Sequence, residues 1–109
     1  MKKIIEKDDV IKAIEIFERE KPNYTNPRST YLVYNGIIYP GKQIRRMAYK
    51  LVFGEEPGKK ELRGGKPTIC FFENLEFTTY WTERDVAIPE YEKQIEEMKL
   101  KKKTRNKRK

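Results

Sequence analysis

The side chains able to do chemistry in this chain are mostly cationic, and they fall in three groups. Lys42, Arg45, Arg46 and Lys50 lie within nine residues of one another. Arg63-Gly64-Gly65-Lys66 follows a stretch bearing glycine and proline. The last eleven residues hold Lys99, Lys101, Lys102, Lys103, Arg105, Lys107, Arg108 and Lys109 with no acidic residue. The first group reads as either a solvated helix face or a phosphate contact and the second as either a plain turn or a phosphate nest, since guanidinium and ammonium groups bind phosphates. The eight charges of the tail equal the formal charge of the whole chain, +8, so residues 1–98 are formally neutral. A tail of this kind grips a polyanion with steep salt dependence and reads no sequence. Glycine pairs ahead of a helix add a second way to hold a phosphate, through backbone N–H groups.

The same composition excludes much catalysis. With no histidine, Ser/His and Cys/His nucleophiles and histidine metal sites are ruled out. The single cysteine, Cys70, allows no internal disulfide, reads as a small apolar helix residue and suits a reducing compartment. Asp8-Asp9, Glu55-Glu56 and Glu96-Glu97 are sequence neighbours that diverge on a helix, so no acid/base pair is expected. No catalytic residue, metal ligand or cofactor is therefore assigned, and the chain is read as no enzyme. Seven tyrosines exceed what a small core needs, and Tyr34 and Tyr80 are candidates for stacking on bases. No apolar run approaches the roughly 20 residues of a membrane helix, and no signal-peptide core follows Met1-Lys2-Lys3. The expectation is a soluble cytoplasmic protein.

The elements that must position these groups are legible in the hydrophobic pattern. Val10, Ile11, Ile14 and Phe17 predict a helix over 8–21 capped by Asp8 or Asp9, followed by a loop over 22–27. Tyr31-Leu32-Val33-Tyr34 and Ile37-Ile38-Tyr39 around Asn35-Gly36 predict a hairpin with a type I′ turn, its strands at 30–34 and 37–39. Leu32 and Tyr34 face one way, Tyr31 and Val33 the other. A second helix is predicted over 40–53, with Ile44, Met47, Ala48 and Leu51 on its buried stripe, Pro40 at its first turn and Gly54 at its end. Residues 55–65 read as a loop, 66–74 as a third helix burying Ile69 and Phe72, and 77–81 as a strand joining the hairpin. The fold class is α+β: a three-stranded sheet packed with three helices. The organisation is one domain over 1–87, a C-terminal helix over 88–100 and a disordered basic tail over 101–109. Tyr91, Ile95 and Met98 give the last helix a narrow apolar face, either a strap or a partner surface.

The pattern from Tyr31 to Phe77 resembles the small N-terminal head domain of McrA-like (ScoMcrA-type) HNH restriction endonucleases. The residues that carry it are Tyr31 and Val33 in an extended segment, Gly36 in the turn, Tyr39 before a helix containing Lys42 and Ile44, the pair Gly64-Gly65, and Leu75 with Phe77. The sequence departs from the pattern where Arg63 replaces a serine and Glu76 a glycine. Because the nuclease histidines are absent, the resemblance implies a detached recognition module that contacts DNA. Independently of the resemblance, free amides at helix starts predict that the starts of the second and third helices, beside Lys42 and Lys66, gather round a shared anion-binding cavity. A rival function is a phage or mobile-element counter-defence protein, an anti-restriction or anti-CRISPR inhibitor of a nuclease or a trap for a nucleotide signal. A third is an adaptor using the Tyr91, Ile95, Met98 face.

Overall fold

Asn35 and Gly36 both adopt positive φ, 53° and 75°, the geometry that lets a two-residue turn follow the twist of its strands. The computed structural model describes residues 4–24, 27, 29–58 and 65–107, with side chains described through residue 100. The hairpin joins β1 (Thr30–Tyr34) to β2 (Ile37–Pro40), and β3 (Thr78–Trp81) pairs antiparallel with the other side of β1. Leu32 stands opposite Tyr39 and Thr79, and Tyr31 opposite Pro40 and Tyr80. The helices are α1 (Lys7–Glu20), α2 (Gly41–Phe53), α3 (Lys66–Asn74) and α4 (Pro89–Lys107). The architecture is α+β, with four helices among the described residues.

The alternation of β1 decides the layering. Leu32 enters a core with Val10, Ile14, Ile44, Ala48 and Phe72, supplied by α1, α2 and α3. Tyr31 and Val33 enter a second core with Ile38 and Tyr80 beneath Ile95 of α4, flanked by Tyr91 and Met98. Helices thus cover both faces of the sheet. Each large apolar side chain so enclosed contributes roughly 1.5–3 kcal/mol. The apolar stripe of α4 is a strap, and the adaptor reading loses the surface it needed.

Three helix ends and one stripe residue of α2 differ from expectation. The N-cap of α1 is Glu6, and Asp9, three residues on, accepts a hydrogen bond from the Glu6 N–H at 2.8 Å. Pro40 ends β2 and serves as the N-cap of α2, so α2 begins one residue later than predicted. Leu51, expected on the buried stripe, is 43% exposed and stands in the wall of a groove between α1 and α2. The backbone of α4 is helical through Lys107, past the expected end near Leu100. Glu90 and Glu92 at its start and lysines and arginines at its end both suit the helix dipole, and Lys and Arg are good helix formers.

Candidate nucleic-acid interface

The starts of α2 and α3 lie against one another. A Cβ on Gly41 would stand 3.3 Å from the Thr30 carbonyl oxygen and 3.4 Å from Thr68 Cγ2, so the absence of a side chain is what admits the contact. Neither helix has an acidic residue in its first turn, and neither N-cap makes a side-chain hydrogen bond. Lys42 and Lys66 occupy those first turns and are exposed. Two adjacent helix starts, each beside a lysine, form a region of positive potential, since the first amides of a helix lack internal acceptors. Gly41 itself is buried, so the exposed residue of the α2 start is Lys42.

The other cations of α2 are engaged within the molecule. Arg45 is half-buried, with its guanidinium carbon 4.7 Å from the Phe71 ring centroid and Nη1 donating to Thr68 Oγ1 at 3.3 Å. Burial lowers its pKa from the ordinary arginine value, and its placement ties α2 to α3. Arg46 Nε and Lys50 Nζ both reach the Glu56 carboxylate, at 3.7 and 3.4 Å. Arg45 is therefore drawn away from an open phosphate surface, whereas Arg46 and Lys50 remain exposed beside Glu56. In the sequence Glu55-Glu56 reads only as an adjacent carboxylate pair; its place directly after a basic helix is the signal that Glu56 meets these cations. A groove of about 530 Å³ runs between α1 and α2, with Ile16, Met47 and Leu51 in its walls and Arg46, Lys50 and Glu56 at its rim.

Tyr80 is enclosed at 1% exposure. Its hydroxyl donates to Glu92 Oε2 at 2.5 Å and accepts from the Ile88 N–H at 3.2 Å, and its ring meets that of Tyr91 at 5.2 Å. The proposed stacking of Tyr80 on a base is overturned, because α4 covers it. Tyr34 is half-buried, its ring 6.1 Å from Phe77 at the margin of the first core. Of the second glycine motif, Gly65 is the N-cap of α3 with φ 73°, while Arg63 and Gly64 lie outside the described residues. Lys101, Lys102, Lys103 and Arg105 lie on the helical backbone of α4, their side chains outside the description.

Among the described residues no group of three or more Cys, Asp or Glu is placed to hold a metal ion, and no helix is long and apolar enough to cross a membrane. Compared with known proteins, the chain matches no family model, no curated protein and no solved structure.

Proposed function

We propose that this chain is a non-enzymatic, cytoplasmic nucleic-acid-binding module. The basic end of α4 supplies sequence-independent grip, and the paired starts of α2 and α3, with Lys42 and Lys66, offer a smaller contact on the body. The observation that carries the reading is the separation of charge: residues 1–98 are formally neutral and the last eleven hold the whole +8. That charge begins immediately after Met98, the last residue of α4 packed on the sheet. The body is therefore a carrier for a concentrated cation, whose self-repulsion a polyanion relieves. The resemblance to restriction-enzyme head domains supports the same class of partner.

The test is a panel of DNA, RNA and nucleotide ligands against the full chain and against residues 1–98, at two salt concentrations. Raising salt from about 50 to about 200 mM should weaken binding by the full chain by about a thousandfold, as six or more phosphate contacts imply. Residues 1–98 should bind far more weakly, and Lys42→Ala with Lys66→Ala should remove what remains. A full chain without measurable affinity for DNA or RNA at low salt would overturn the proposal.

A further inference from the structure

The charge on α4 is carried on a helix, and the helix has a definite length, diameter and distribution of positions. The packed part of α4 ends at Met98, whereas its backbone stays helical through Lys107. Positions 99–107 therefore continue the helix for about 12 Å at 1.5 Å per residue. Six of these nine residues are basic, about one cation per 2 Å, close to the one phosphate charge per roughly 1.7 Å of duplex axis.

With about 100° between successive residues, positions 99, 103 and 107 fall on one side of the axis, 101 and 105 on the opposite side, and 102 between them. A single strand or a flat acidic surface meets one side of a helix. A duplex groove has phosphates along both walls. The major groove of B-form DNA, about 12 Å wide, admits a helix about 10–12 Å in diameter, whereas the deep, narrow major groove of A-form RNA does not. Resting on the nucleic-acid reading above, we propose that residues 99–107 of α4 form a rod that lies in the major groove of duplex DNA. The like-charge pairs 99/103, 101/105 and 103/107 repel along the free helix, and phosphates on both walls remove that repulsion.

The test uses the full chain with a short DNA duplex, the same sequence single-stranded, and the corresponding RNA duplex. The duplex DNA should bind best, by about tenfold or more, and helicity measured by circular dichroism should rise on binding. Thr104→Pro breaks the helix without changing charge and should weaken duplex DNA binding by about tenfold, while Thr104→Ala should not. Equal affinity for the three ligands, or a Thr104→Pro chain that binds duplex DNA as the parent does, overturns the groove inference and leaves the general nucleic-acid reading standing. Failure to bind any of the three overturns both.

Discussion

Glu76 sits where the backbone disfavours it. Its φ is 67°, and it follows the end of α3 in a Schellman motif: the Glu76 N–H donates to the Glu73 carbonyl at 2.9 Å and the Phe77 N–H to the Phe72 carbonyl at 3.0 Å. The Phe72 and Phe77 rings pack edge to face at 6.2 Å, the apolar contact that accompanies such an end. A glycine relieves the left-handed strain. Because Glu76 is exposed, Glu76→Gly should stabilise the protein by about 0.5–1 kcal/mol, or roughly 2–6 °C in melting temperature. Unchanged or lower melting would refute this. Two tyrosines argue a pH dependence. Burial first, then the hydrogen bond to Glu18, raises the Tyr39 pKa above 10, and burial with Glu92 does the same for Tyr80. Both folded values exceed the unfolded one, so their contribution is complete below pH 10.0 and is lost as pH rises through the folded values. Urea midpoints should hold to that point and then fall, and Tyr39→Phe should flatten the fall.

Between elements, the side chains of α4 and the β3–α4 connection finish the sheet. Gln94 Oε1 accepts from the Ile38 N–H at 2.8 Å and Gln94 Nε2 donates to the Gly36 carbonyl at 3.0 Å, imitating a strand along β2. On the far edge the Trp81 N–H donates to Asp85 Oδ2 at 2.9 Å, and the Trp81 carbonyl accepts from the Arg84 and Asp85 amides. Edges occupied in this way resist pairing with another chain. Gln94→Ala should cost about 1–2 kcal/mol and speed hydrogen exchange at Ile38, and an unaltered Ile38 rate would show that α4 stays seated without the amide. Most of this level was readable beforehand. Alternation in β1, the Asn-Gly turn and the Gly54 helix end each express a local backbone preference. The role of Gln94 was not readable, because the edge it covers lies more than fifty positions away in the chain.

At the scale of the whole molecule the body and the basic helix end are separable. Both cores are complete by Met98, so removing residues 99–109 should change folding stability by no more than about 0.5 kcal/mol while abolishing most salt-dependent binding. A truncated chain that unfolds would show that the charged turns also hold the sheet together.

By itself the sequence determined the order of the elements, the two-faced central strand and the partition of charge between a neutral body and a cationic end, since these follow from local periodicity and counting. Only the tertiary structure decided that Arg45 lies over Phe71, that Glu56 pairs with Arg46 and Lys50, that α4 covers Tyr80, and that the starts of α2 and α3 meet at Gly41. Apart from the Glu56 pairing, which joins near neighbours across the end of α2, each depends on bringing distant segments within a few ångströms, and no local preference of the chain encodes that distance.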